Sequence, residues 1–187
     1  MKQNRFIQRV RGLTVVEIII TMMLISIIAY IGTRLTINFN EQFEWGQSVS
    51  NVSFTAVNAL DYIENELIQA SASSIVLSDQ QLQGYKTIDF PKVTGYDVSS
   101  KTATIDITNT VRFTLENGVL NKYILDKTTT PPTVVNGPIP VANNVESFSV
   151  ERISTNLYNI SITVEKTYPD GQTVKSTYNR QIYARNR

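Results

Sequence analysis

The sequence predicts an α+β protein in which a long N-terminal helix, transmembrane in its first half, packs on an antiparallel β-sheet. Three observations predict this fold. A long apolar run starts near residue 13, and an amphipathic pattern with apolar residues three and four positions apart follows it. From residue 75 onward, short runs rich in Val, Ile, Thr, Tyr and Phe alternate with turn sequences. An antiparallel sheet with one apolar face needs a cover, and the amphipathic helix supplies one.

The composition argues against catalysis. The 187 residues include no histidine and no cysteine, which removes imidazole bases, thiolate nucleophiles, disulfides and the usual zinc ligands. Serine, threonine and lysine are plentiful, but they form no nucleophile motif, and no Gly-rich phosphate loop accompanies them. The sequence therefore predicts a non-enzymatic protein without a cofactor or a metal.

The N-terminal segment has the charge pattern of a membrane-inserted helix. Lys2, Arg5, Arg9 and Arg11 precede the apolar run, and none of the 16 acidic residues lies among them. The run from Leu13 to Thr33 contains 21 residues, with Glu17 as the only charge. At ~1.5 Å per residue a helix of this length reaches roughly 31 Å, about the thickness of the hydrocarbon core. The basic end is predicted to stay in the cytoplasm, with the chain beyond Arg34 outside.

Two simpler interpretations explain less of this segment. A cleaved secretory signal has a shorter apolar stretch followed by a small-residue cleavage site, whereas here the glycine, Gly12, precedes the run. A plain signal anchor accounts for length and charge but gives no reason for Glu17 or for Gly12. A carboxylate in an apolar membrane segment is costly unless it is paired, so Glu17 needs a partner.

The segment "RVRGLTVVEIII" resembles the class III signal of type IV pilins and type II secretion pseudopilins. In that family a basic leader ends in glycine, an apolar residue follows, and glutamate is the fifth mature residue. Gly12, Leu13 and Glu17 match this pattern, with leucine where phenylalanine is more usual. The resemblance implies cleavage between Gly12 and Leu13 by a prepilin peptidase and N-methylation of Leu13. It also implies that Glu17 pairs with the Leu13 amine of a neighbouring subunit during assembly.

The resemblance also implies partners and a location. The chain would reside in the cytoplasmic (inner) membrane before assembly, with residues 1–12 as a cleaved cytoplasmic leader and 13–34 as the transmembrane and assembly helix. Its partners would be the inner-membrane assembly platform and other major and minor pilins or pseudopilins, which it contacts through the N-terminal helix. After assembly it would belong to a pilus or pseudopilus.

Beyond the membrane segment, residues 35–74 are predicted to form an amphipathic spine helix. Gly32 and Gly46 are weak points, and we expect a bend or partial melting near 36–48. The apolar positions that define the buried face of this helix are Val49, Val52, Ala56, Leu60, Ile63 and Leu67.

Residues 75–187 are predicted to form the antiparallel sheet. "VRFTLENGVLNKYIL" predicts a hairpin that turns at Asn117-Gly118, and the last three apolar runs predict a three-stranded meander. The last two of these runs are joined by a Pro-Asp-Gly turn at 169–171. Residues 75–106 are expected to hold two or three short strands. The Pro- and Thr-rich segment 127–144 is expected to be a surface loop.

A looser resemblance extends into the sheet domain. "ALDYIENELIQA", "VRFTLENGVLNKY" and "NVESFSVERI" are similar to segments of J-type minor pseudopilins and of minor pilins of the PilW group. This favours a minor subunit, which would help to initiate assembly and cap the filament, over a major one. The alternatives are a tip binding module, either an adhesin or a DNA receptor, and an unrelated membrane-anchored domain without a filament.

Two groups of charged residues complete the candidate sites. Asp61, Glu64 and Glu66 are interpreted as a solvated helix face, since neither a calcium loop nor a base partner accompanies them. Cations near the C-terminus could contact DNA phosphates, but charges that protect an edge strand from unwanted pairing are the favoured interpretation. These cations are Lys175, Arg180, Arg185 and Arg187.

Overall fold

The structure, a computed structural model, describes residues 14–81, 84–97, 99, 102–168 and 171–184. It contains one long helix and, in these residues, eight strands of an antiparallel sheet, so the predicted α+β fold is confirmed. Residues up to Gly46 form one compact unit, and Gln47–Arg187 form a second, which contains the sheet.

Helix α1 runs without a break from Val15 to Leu67. The predicted melting of 36–48 is wrong, because every residue of that segment is helical. A glycine inside a helix costs only about 1 kcal/mol relative to alanine, which is too little to interrupt a helix that continues on both sides. The predicted spine helix over 35–74 is also too long. After Leu67 the chain turns and forms a short 3₁₀ helix, Ala72–Ser74.

The last third of α1 covers the sheet as predicted. Val52, Ala56, Leu60, Ile63 and Leu67 are buried, and Val49 is partly buried. Ala59 adds a small side chain to the same face. Apolar residues at this spacing line one side of a helix, so their burial against a sheet is what an amphipathic helix requires.

The strands follow the chain in order, as β1 (Val76–Gln81), β2 (Gly84–Asp97), β3 (Thr102–Glu116), β4 (Val119–Asp126), β5 (Thr133–Asn143), β6 (Val145–Arg152), β7 (Leu157–Thr167) and β8 (Thr173–Tyr183). Their order across the sheet is β5-β4-β3-β2-β6-β7-β8, and β1 pairs with β2. The predicted meander corresponds to β6, β7 and β8.

Two predictions about the strands need correction. The region 75–106 holds the six-residue strand β1, as expected, but β2 and β3 have 14 and 15 residues, and β2 pairs with β3 through most of its length. The segment 127–144 is not a loop throughout, since β5 occupies 133–143 and pairs with β4. Pro138 and Pro140 lack an N–H, but β5 lies at the edge of the sheet and pairs on one side alone. Proline is tolerated in such a strand.

The predicted β3–β4 hairpin is confirmed, with Glu116 paired to Val119 across Asn117-Gly118. Both turn residues have positive φ, 50° at Asn117 and 77° at Gly118, as a type I′ turn requires.

We expect Gly118→Ala to destabilise the fold by about 1–2 kcal/mol, because a Cβ is disfavoured at positive φ. Gly95→Ala is the matched control, since its new Cβ would make ordinary contact with Thr104 at 3.7 Å. Urea unfolding of the full chain measures both variants. Equal stability of the two would contradict the assignment of the turn.

The sheet consists of two groups of strands with a narrow junction. β1 to β5 form one group and β6 to β8 form the other. In the described residues the groups meet where Tyr85 pairs with Val150, and the Val145 N–H donates to the Gly118 carbonyl at 2.9 Å. Backbone pairing between the two groups is therefore limited. The contacts that α1 makes with both groups then contribute more to holding them together.

Candidate functional site

The start of α1 holds Glu17 in a capping box. The Thr14 backbone N–H donates to Glu17 Oε2 at 2.8 Å, and the Thr14 hydroxyl donates to the same oxygen at 3.0 Å. In return, the Glu17 N–H donates to Thr14 Oγ1 at 3.3 Å. This reciprocal pattern satisfies backbone donors that a helix start leaves without partners. The partner of Glu17 within the described chain is therefore Thr14.

Thr14 is not among the residues predicted for this site from the sequence. The sequence does contain a pattern that indicates its role. A threonine three residues before a glutamate, at the start of an apolar run, is typical of a capping box. The other predicted residues of this site, Gly12 and Leu13, lie outside the described residues. The contact between Glu17 and a neighbouring Leu13 amine stays a prediction.

The first half of α1 is long and apolar enough to cross a membrane, with a mean hydropathy of 2.4 over its best window. None of that window is buried within the chain. The exposed fraction of its large apolar side chains ranges from 43% at Ile18 to 73% at Val15. A soluble monomer rarely exposes so large an apolar surface, so this half of the helix needs lipid or another protein around it.

Apolar exposure continues beyond the candidate membrane span. Leu35, Phe39 and Phe43 are 63%, 68% and 62% exposed. They are four residues apart and therefore share one side of the helix. Arg34 and Tyr30 lie just before them, and the Arg34 Nε donates to the Tyr30 hydroxyl at 3.3 Å. An apolar stripe thus follows the charged residue that ends the span.

Glu66 on α1 lies between two lysines of the sheet. Lys122 Nζ, from β4, donates to Glu66 Oε1 at 2.8 Å and to the Tyr62 hydroxyl at 3.1 Å. Lys92 Nζ, from β2, lies 2.6 Å from Glu66 Oε2. Burial alone raises the pKa of Glu66, but the contacts with Lys122 and Lys92 outweigh it, and the pKa lies below its ordinary value. This group of four residues is called the Glu66 cluster below.

Asp61 and Glu64 contact the other group of strands through Arg180 of β8. Arg180 Nη1 donates to Glu64 Oε2 at 2.7 Å and also to Asp61 Oδ1. Since α1 contacts β2 and β4 through Glu66 and β8 through these two acids, the helix connects the two groups of strands. The interpretation of the three acids as a solvated face is wrong for Glu66, whose side chain is 14% exposed, whereas Asp61 and Glu64 are partly exposed but form ion pairs. Side chains from distant strands reach them, and their spacing on the helix gives no sign of that.

The structure describes two of the four cations of the predicted basic patch, Lys175 and Arg180. Lys175 and Arg180 are five residues apart on β8, so their side chains point to opposite faces of the sheet. Arg180 binds the acids of α1, and Lys175 forms an ion pair with Glu146 of β6. Arg185 and Arg187 lie outside the described residues. The two described cations are separated and paired with acids, which does not favour DNA binding at this strand.

The described residues contain no group of three or more acidic side chains placed to hold a metal ion.

A comparison with known protein families finds no matching family model, and a comparison with curated protein sequences finds no match.

Proposed function

We propose that the chain is a minor structural subunit of a type IV pilus or a type II secretion pseudopilus, one that helps to initiate assembly and caps the filament. One observation carries the proposal. Gly12 and Leu13, after a basic segment, match the class III cleavage pattern, and Glu17 is the fifth residue counted from Leu13, in the first turn of an apolar helix. The fold is compatible with this role but does not require it.

The capping box supports the proposal because it gives Glu17 a place in the membrane before assembly. A charge at the centre of a membrane helix costs about 2.5–3.5 kcal/mol on insertion scales, and Glu17, in the first turn of the helix, is expected to cost less than that but still to need a partner. The donors of Thr14 lower that cost by replacing water at one carboxylate oxygen. The other oxygen is left available for a stronger partner, such as the cationic amine of an adjacent subunit.

The exposed side of α1 also supports the proposal. When a subunit leaves the membrane and joins a filament, lipid no longer covers the apolar residues of α1. Helices of neighbouring subunits would cover them instead. Leu35, Phe39 and Phe43 would be covered in the same way, which gives these aromatic side chains a role outside the hydrocarbon. A single-pass anchor without a filament gives no account of this stripe.

Mass spectrometry of the chain isolated from its native membrane tests the proposal. We expect an N-terminus at Leu13 that carries one methyl group, and we expect Gly12→Leu to accumulate with the leader attached. Gly32→Ala is the matched control, because Gly32 has no neighbour within 4 Å, and it should be processed normally. A mature chain that still begins at Met1 would overturn the proposal.

A further inference from the structure

We propose that the sheet carries a binding groove for a neutral glycan chain on the face of β6, β7 and β8 that is turned away from α1. A cavity of about 410 Å³ lies there, and a second of about 570 Å³ adjoins it. The two share five lining residues, Gln81, Gly84, Ser149, Ser161 and Thr177. The inference does not rest on the proposed assembly role, because every residue of the groove belongs to the sheet.

Polar side chains of the three strands form a regular grid in the groove. Ser149 pairs with Ser161, which pairs with Asn179, and the next row joins Glu151, Asn159 and Gln181. Neighbouring strands are about 4.8 Å apart, and side chains on one face recur every ~6.7 Å along a strand. The groove therefore offers hydroxyl and amide groups at repeated spacings in two directions.

These polar groups are available to a ligand. Elsewhere on the side of the sheet away from α1, side chains satisfy one another, as Arg112 does by donating to both oxygens of Asp89 at 2.8 and 2.7 Å. Within the described residues, no intramolecular side-chain hydrogen bond engages Ser149, Ser161 or Asn179. In the same groove the Thr163 and Thr177 hydroxyls bond each other at 3.0 Å, so Ser149, Ser161 and Asn179 are the side chains that the proposal uses.

The side chains that line the groove favour a neutral sugar chain over an anionic polymer. Lys175 is already paired with Glu146, and Glu151 adds a negative charge, so the groove offers no surplus cation to an anionic polymer. Serine, threonine, asparagine and glutamine side chains donate and accept hydrogen bonds, as sugar hydroxyls do. Tyr85 also lines the groove.

Gly84 fixes one wall of the groove. It has φ of +107°, and a Cβ there would lie 2.8 Å from the Val150 carbonyl oxygen. No L side chain fits so close to β6 without a shift of the backbone. Gly84 can therefore lie against β6 because it is glycine, and Gln81, its pairing partner on β1, lines the groove beside it.

Saturation-transfer NMR of the full chain in lipid nanodiscs tests the proposal, with cellohexaose, maltohexaose and chitohexaose as neutral probes and a heparin hexasaccharide as the anionic probe. Sugar-based detergents are avoided, since their headgroups would compete. We expect at least one neutral probe to bind. Ser161→Ala with Asn179→Ala should weaken that binding by about tenfold or more, since each change removes hydrogen bonds.

The control is Asn136→Ala with Asn143→Ala, which removes two exposed amides from β5 outside the groove. It should leave the affinity unchanged within about twofold, and all variants should unfold at the same urea concentration as the parent chain. Failure of all three neutral probes to bind at about 10 mM would overturn the proposal. Equal weakening by both pairs of substitutions, or tighter binding of the heparin probe, would also overturn it.

Discussion

Replacing Glu17 with alanine is expected to remove the chain from assembled filaments while the membrane pool persists. Glu17→Ala eliminates both the acceptor for Thr14 and the charge proposed to meet the Leu13 amine of a neighbour. An unpaired amine in an apolar interface costs about 3–5 kcal/mol, which corresponds to a loss of at least about 100-fold in incorporation. Immunoblots measure the amount of the chain in sheared filaments relative to the amount in membranes, with variants compared at equal expression.

Glu17→Gln separates the two functions of this side chain. Glutamine keeps a carbonyl oxygen that accepts from the Thr14 N–H, so the cap survives while the charge is lost. We expect this variant to fail as Glu17→Ala does. Glu41→Ala removes an exposed acid from the same helix and should assemble normally. Normal incorporation of Glu17→Gln would show that the cap suffices and that no intersubunit ion pair forms.

Removal of Glu66 is expected to have the largest effect on the stability of the sheet domain. Glu66→Leu leaves Lys122, whose side chain is 8% exposed, without its carboxylate partner. Loss of one member of a buried ion pair costs about 3–5 kcal/mol, and we expect about 3 because the side chain of Lys92 is 35% exposed. Urea unfolding of the full chain, followed by far-ultraviolet circular dichroism, measures the change.

Two variants make this expectation specific to the Glu66 cluster. Lys122→Met combined with Glu66→Leu should recover most of the loss, because no buried charge is left alone. Arg180→Gln removes the ion pairs between α1 and β8, where the side chains of Asp61 and Glu64 are 52% and 36% exposed. It should cost about 1 kcal/mol or less. If the double variant were no more stable than Glu66→Leu, the cost would come from lost packing instead.

The same cluster gives the stability a dependence on pH. The pKa of Glu66 is lowered in the folded chain, since its contacts with Lys122 and Lys92 outweigh the effect of burial. A lowered carboxyl pKa contributes stability above the unfolded value, about 4.3, and loses it as the pH falls through the folded value. Urea midpoints between pH 6 and 3 should therefore fall more steeply for the parent chain than for Glu66→Leu.

Local signals in the sequence determined much of this protein. The apolar period of three and four placed the buried face of α1, and Asn117-Gly118 placed the hairpin, because both depend on residues close together in the chain. The leader pattern around Gly12, Leu13 and Glu17 likewise needs no tertiary information. These features are the basis of the proposed function.

Only the tertiary structure decided which charges meet. Lys122 lies two residues after the buried Leu120 on β4, so its side chain is on the same, core-facing side of the strand. A lysine at such a position needs an acidic partner, and this was the one sign of the pairing in the sequence. Its partner, Glu66, is 56 residues away, and the pairing depends on how the helix crosses the sheet. The groove on β6 to β8 follows the same rule, because Gln81 and Gly84 line it together with Ser149 from much later in the chain. A local pattern does not encode such contacts.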